Sequence, residues 1–492
     1  MTTFHSITRS AAAAGLLLLA GCAVGPDYRR PDLPAMDYLP APVAAAMREQ
    51  RQLVVADLPA QWWTLFHSQA LDELIRDAFA RSPSVAAAQA ALRQATELRR
   101  AQQGAFFPTA DLSYSAARQK ISTPLASPLA SNADVFNLST AQLNVSYTPD
   151  LFGLNRRQVE SLQGQEQAQR WNVEATYLTL GSNLVVAVIN EASLQAQVDA
   201  TATQVKLQSD VLERFRAMQR LGENSELDVS QQEAQLASLQ ATLPGLNKQL
   251  AQQRDLVKAL AGLPPAAAGV PELRLADLTL PDPLPLTLPS TLVEHRPDVL
   301  AAEAALKSAS ADIGVAVANR LPQVTLGVDS WGSSAASLSG LFNPGTTFWT
   351  LAGSATQTLV DGGALKHKEA AARAAYDQAE ANYRAAVINA FQNVADALQA
   401  VQADAEAERA TRHALEIADR TLAISRRQLD LGDISALAVV QVEQAQQQAL
   451  VAAIQARAQR LSDAAAMLQA LGGGWWNRPA DAAATPTRAR AD

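Results

Sequence analysis

The chain is written twice, and whatever the first copy folds into, the second must fold into as well. Ser82-Pro83-Ser84-Val85 is answered by Arg296-Pro297-Asp298-Val299, and Pro108 by Pro322, both 214 residues on. Leu221-Gly222, Ser225, Leu227, Val229, Gln231 and Glu233 return as Leu431-Gly432, Ser435, Leu437, Val439, Gln441 and Glu443, each 210 residues later. The repeats occupy residues 70–262 and 290–472 of the 492. Between them the linker 263–289 holds Pro264, Pro265, Pro271, Pro281, Pro283, Pro285 and Pro289, a density that no helix survives. It is an extended connection or a few edge strands. The C-terminal tail, 473–492, follows Gly472 without periodicity and reads as loose.

Each repeat orders its elements alike. A helix comes first, over about 68–103 and about 289–319. It runs into Phe106-Phe107-Pro108, or Leu321-Pro322, where the apolar period changes from helical to alternating. Leu112, Tyr114 and Ala116 alternate with Asp111, Ser113 and Ser115, and Val324, Leu326 and Val328 with Thr325, Gly327 and Asp329. After a loop rich in Ser, Pro, Asn and Gly (122–134, 332–345), a second run returns. Leu143, Val145 and Tyr147 alternate with Asn144 and Ser146; Trp349 and Leu351 lead to Gly353 and Ala355. Each run has about ten residues, the length of a tilted membrane strand.

The remainder of each repeat is long helix. Val387, Phe391, Val394, Leu398 and Val401 alternate spacings of four and three, and Leu415, Leu422 and Leu429 follow at sevens. Leu194, Val198, Val205, Leu212 and Phe215 keep the same beat, which is coiled-coil packing. No proline interrupts 155–220. At about 1.5 Å per residue such a helix reaches about 100 Å before the chain turns at Leu221-Gly222.

Targeting is written in the first residues. Arg9 precedes an apolar run from Ala11 to Ala20, too short to span a bilayer, so 1–21 reads as a secretory signal segment. The run ends in Leu19-Ala20-Gly21-Cys22, which resembles the lipobox of bacterial lipoproteins. That resemblance implies cleavage before Cys22, then a diacylglycerol on its sulfur and an acyl chain on its new amino group. Several chains hold a protein where one binds weakly. Ala23, not aspartate, follows, which points to the outer membrane; 22–69 is then the lipidated start of the mature chain. Cys22 is the only cysteine, excluding intrachain disulfides, cysteine-rich zinc sites and iron–sulfur clusters. With 40 Lys+Arg against 48 Asp+Glu, a net charge of −8 and no basic run, nucleic acid is excluded as the main partner.

Four strands per chain cannot close, and hydrocarbon tolerates no open sheet edge. About eight strands is the usual minimum for a membrane barrel. The strands are therefore pooled between chains, or they form a small soluble sheet capping a coiled-coil stalk. A barrel lined by Asp111, Ser113, Asn144, Ser146, Thr325 and Asp329 holds water, and the lipid anchor favours the membrane.

Cys22-Ala23-Val24-Gly25-Pro26-Asp27-Tyr28, followed by Pro31, resembles the mature start of the NodT/OprM-type outer-membrane efflux lipoproteins of the TolC superfamily. Trp62-Trp63-Thr64-Leu65-Phe66 and Leu71-Asp72-Glu73-Leu74-Ile75 resemble the family's entry into its first helix, and the duplicated Leu-Gly turns its periplasmic tips. The resemblance covers about 22–474. It implies a mainly α chain with a membrane β-barrel: a long α-helical barrel of coiled-coil hairpins, and four strands per chain pooled into a trimeric transmembrane barrel. It further implies a homotrimer, anchored by lipid in the outer membrane and extending into the periplasm, that passively conducts drugs or other small molecules outward. The implied partners are a periplasmic membrane-fusion adaptor and an inner-membrane efflux transporter. Since the transporter supplies the energy, no catalytic site, no metal and no cofactor beyond the acyl groups on Cys22 is expected.

The two reversals carry the candidate adaptor contacts: Leu221, Gly222 and Ser225, then Leu431, Gly432 and Ser435. Glycine suits the tight reversal and serine the N-cap of the returning helix; docking is what the resemblance adds. Leu227, Asp228, Leu437 and Gln441 are the candidate aperture gate. By resemblance Leu437 matches a leucine that narrows the closed aperture. Gln441 and Gln444 stand where the family has an aspartate and an arginine, which leaves an apolar constriction at Leu437 with Glu443 or Asp228 nearby. His67, His295, His367 and His413 are scattered without metal-ligand spacing. Asp361-Gly362-Gly363 reads as a strand-to-helix turn, lacking the Lys-Ser/Thr of a phosphate loop. The rival readings are a structural coiled-coil lipoprotein without transport, disfavoured by membrane-length strand pairs, and a lipoprotein enzyme, disfavoured by the missing polar constellation.

Overall fold

The computed structural model describes residues 23–31, 58–122, 133–280 and 295–478. The signal segment, Cys22, residues 281–294 of the linker region and the tail from 479 lie outside the described residues. The chain divides into two compact units, and each draws on both repeats. One unit holds Met1–Leu33, Ala91–Arg170 and Ala301–Arg384; the other holds Pro34–Ala90, Trp171–Leu300 and Ala385–Asp492.

In the first repeat α1 (Gln69–Arg81) and α2 (Pro83–Gln103) precede β1 (Thr109–Lys120) and β2 (Val135–Tyr147). The hairpin of α3 (Leu154–Arg220) and α4 (Glu226–Leu260) follows. In the second repeat come α5 (Pro297–Ala318), β3 (Gln323–Ala335), β4 (Thr347–Thr356), α6 (Ala364–Leu431) and α7 (Ala436–Ala470). The outgoing helices α3 and α6 have 67 and 68 residues, and the returning helices α4 and α7 have 35 each. Two helix starts differ from the sequence reading. The single helix expected over 68–103 is broken at Ser82, whose backbone is extended (ψ 121°). The next residue, Pro83, forces that conformation and opens α2. For the same reason α5 opens at Pro297, after the non-helical Arg296; the stretch 289–294 of the expected helix lies outside the described residues.

The four strands form one antiparallel sheet in the order β1-β2-β3-β4. Leu112 pairs with Leu143, Leu143 with Trp331, and Trp331 with Trp349, so one apolar row crosses all four strands. Ala110, Val145, Val328 and Leu351 make the next row. The two rows keep to one face because the register shifts between Val328 and Ser330. Asp329 is the extra residue of a β-bulge there, which turns Trp331 to the same side as Val328 although they lie three residues apart. The alternation expected to place Asp329 with Thr325 therefore ends at this point.

The unit built on Trp171–Leu300 has a continuous core. Trp62, Phe66, Leu71 and Ile75 pack there with Leu184 and Ile189 of α3, Leu398 of α6 and Leu468 of α7, all below 2% exposed. Val387, Phe391, Val394, Leu398 and Val401 are buried along α6, as their four-and-three spacing requires. One stretch of α3 is apolar enough to cross a membrane, but half of it is buried inside the protein.

Candidate functional site

The sheet presents a face that water does not reward. Leu112 is 81% exposed, Trp349 73% and Leu351 72%, with Tyr114, Trp331 and Leu326 on the same side. The opposite face carries Asp111 beside Asn144, Ser113 beside Gln142, and Thr109 beside Ser146. β1 and β4 each pair on one side only among the described residues. An apolar face next to two open edges calls for another surface.

The hairpin reversals share one construction. Gly222 and Gly432 have φ of 79° and 78°, with nothing within 4 Å of where a side chain would start. Glu223 N–H donates to Met218 O and Gly222 N–H to Gln219 O, and Asp433 and Gly432 repeat this on Gln428 and Leu429. Two carbonyls that each helix end would leave bare are thereby satisfied. Ser225 and Ser435 then cap the returning helices, accepting from Asp228 N–H (3.2 Å) and Ala438 N–H (3.3 Å). Only the first tip has a closed capping box. Asp228 accepts from Ser225 N–H (2.9 Å) and Ser225 O–H (2.7 Å), and these bonds hold its carboxyl below the usual range.

The structure leaves Leu221, Leu227 and Leu431 exposed at the tips, with Leu437 and Gln441 on the first turns of α7. Asp228 is committed to its cap. Glu443 is buried and bound by Arg426 at 2.9 Å, an ion pair repeated 210 residues earlier as Arg216 on Glu233 at 2.7 Å. The duplication thus extends to an arginine clamp on each hairpin, which motif reading missed although the common offset of 216 to 426 and 233 to 443 signals it.

A second charge cluster joins α6 to α7. Asp404 and Asp463 share a hydrogen bond, and one oxygen of Asp404 is buried without a partner. Two carboxylates can share a hydrogen bond only through a proton. Burial, then the hydrogen bond and negative charge of Asp463, push Asp404 up to about 7 against the pull of Arg460. One helical turn on, Glu408 accepts from Arg412 (2.6 Å) and from Arg460. Arg457 reaches the carbonyls of Leu275 (3.1 Å) and Leu278 (3.4 Å). The histidines stay apart: His67 closes a short helix with φ 52°, His295 lies against Trp476, and His413 approaches Glu416 at 3.9 Å. Among the described residues no group of His, Cys, Asp and Glu is arranged to hold a metal ion.

A family model described as outer membrane efflux protein matches residues 74–263 and 288–473. The chain is similar to the pyoverdine export outer membrane protein OpmQ of Pseudomonas putida, 29% identical over 85% of this chain and 89% of that protein. It is 28% identical to the toluene efflux pump outer membrane protein TtgF of Pseudomonas putida, over 93% of this chain and 95% of the other. Among solved structures it resembles the outer-membrane channel OprN, with a TM-score of 0.82 and 25% identity, over 92% of this chain and all of that one.

Proposed function

Because this chain belongs to the outer membrane efflux protein family, we propose that three copies assemble, each giving four strands to one transmembrane barrel. The protein is an outer-membrane channel component of an efflux pump. The observation that carries the trimer is the open-edged sheet with one apolar and one polar face. Four strands leave two edges unpaired, and an edge in hydrocarbon costs several kcal/mol per unsatisfied group (~1–7). Pooling strands between copies removes every edge. Leu112, Trp331, Trp349 and Leu351 then meet lipid, and Asp111, Asn144 and Ser146 line a wet bore.

The long hairpins form the periplasmic duct in this reading, and their tips at Leu221-Gly222 and Leu431-Gly432 meet a membrane-fusion adaptor linked to an inner-membrane transporter. Short, exposed, glycine-closed turns suit close approach by a partner's hairpin. Leu437 narrows the closed aperture, and conduction is passive. The chain is lipid-anchored through Cys22 and works as a duct, not an enzyme.

The test is a mature-size complex purified in mild detergent. It should run as a trimer that survives unheated electrophoresis and should conduct ions in a planar bilayer, with acyl groups on the Cys22 peptide. A monomer that conducts nothing would leave only a coiled-coil lipoprotein.

A further inference from the structure

Residues Gly25, Asp27 and Tyr28 belong to the motif that marks the mature N-terminus, and a channel has no obvious use for them. Their surroundings show what they do. Val24 N–H donates to Phe152 O (3.2 Å), in the turn between β2 and α3. Arg157 of α3 is only 4% exposed and spends most of its guanidinium on this segment. Nε donates to Val24 O (3.0 Å), Nη2 to Gly25 O (3.3 Å) and Asp27 Oδ1 (2.9 Å), and Nη1 to Glu160 (2.7 Å).

The backbone lies too close for side chains to intervene. A Cβ on Gly25 would stand 2.5 Å from Gly314 Cα, and one on Gly314 would strike Arg157 Cγ and Cδ at 2.8 Å. A Cβ on Gly153 would stand 2.6 Å from Ala23 Cα. Further along, Tyr28 O–H donates to Glu303 of α5 (3.3 Å), and Arg30 reaches Glu303 (3.6 Å) and the buried Tyr383 hydroxyl of α6 (3.4 Å). The nine residues therefore touch α3 of the first repeat and α5 and α6 of the second, all within one compact unit.

We propose that residues 23–31 are a strap that fixes the membrane anchor rigidly at the base of the sheet and staples the two repeats together, with Arg157 as its buried fastener. The proposal rests on the reading that Cys22 carries the acyl groups. A flexible tether would let the anchor wander over several residues' reach. Here Ala23, the residue next to Cys22, is already seated on Gly153, in the turn that joins β2 to α3. Buried arginine donors must be satisfied, so freeing the strap strands the guanidinium as well.

Trypsin tests this on the full mature protein. Arg29 is exposed, and the bond after Arg30 resists because proline follows, so one cut after Arg29 releases the peptide 22–29. The measured quantity is the release rate in the native protein relative to the same chain denatured. Body-side variants leave the cleavage site unchanged. We expect native wild type to be cut at least tenfold more slowly than the denatured chain. Arg157→Met should speed native release about tenfold, and Glu303→Gln about two- to threefold. Equal rates in native and denatured wild type, or no acceleration in Glu303→Gln and Arg157→Met, overturn the strap. If Arg157→Met does not assemble, the wild-type ratio and Glu303→Gln decide. Acyl mass on the released peptide reads Cys22 separately, so an unacylated peptide defeats the anchor while leaving the strap's rates to stand or fall alone.

Discussion

Raising the pH from 5 to 8 should loosen the second hairpin through Asp404. In the unfolded chain this carboxyl titrates at 3.8, and in the fold at about 7, because burial and Asp463 favour its protonated form. Between those values the folded state holds a proton that the unfolded chain has released. Stability is therefore greatest below about 4 and falls as pH rises through the window to about 7, then levels off. At ~1.36 kcal/mol per pKa unit the full gap would be about 4 kcal/mol. Asp404 is only partly buried, so solvent screening reduces this to about 1–2 kcal/mol. The facing groups are Asp463, Arg460 and, one turn away, Glu408 with Arg412. Arg460 opposes the effect and is already included in it. In a chain of this size 1 kcal/mol moves the thermal midpoint by about 1–2 °C. Circular dichroism melts in detergent, at one scan rate, should lose about 1–3 °C between pH 5 and 8. Asp404→Asn supplies the N–H that the shared proton provided. It should match wild type near pH 4 and exceed it at pH 8 by about 1–2 kcal/mol. Parallel pH profiles for the two proteins, or a variant less stable at every pH, would refute the shared proton.

Other outcomes follow from the tips and the sheet. Leu437→Ser should raise single-channel conductance and sensitise cells to large antibiotics, because an apolar collar excludes water without charge. Gln441→Ala should change conductance little, and if it alone opens the pore the constriction is polar. Gly432→Ala meets no steric clash, so its cost is the positive φ, about 1–2 kcal/mol. Trimers should still form while efflux falls; failure to assemble would make the turn purely conformational. Ser225→Ala removes a complete capping box and should cost ~1 kcal/mol by thermal melting, against less for Ser435→Ala, whose cap has no reciprocal carboxylate. Leu351→Arg on the exposed apolar face should destabilise insertion by about 2–4 kcal/mol, seen as lost trimer in outer-membrane fractions.

The periodicities in the sequence determined which elements form. The four-and-three spacing of Val387, Phe391, Val394, Leu398 and Val401 places them on one helix face, and that face is buried. Glycine at 222 and 432 marked the reversals because few other residues take φ near 80° without strain. Proline alone did not decide where every helix ends: α4 continues through Pro244.

What the tertiary structure alone decided is which distant residues meet. The bulge at Asp329 is set by pairing with β2 and β4, and it moves every residue after it to the other face. Asp404 and Asp463 look like ordinary surface acids in sequence. Only helix packing brings them together and takes water away, which makes the proton part of the structure. Arg157 likewise reads as one charge in a polar helix start, until Val24, Gly25 and Asp27 fold over it. A one-dimensional pattern records how a residue relates to neighbours a few places away; burial and charge pairing here depend on neighbours distant in the chain, which only the fold supplies.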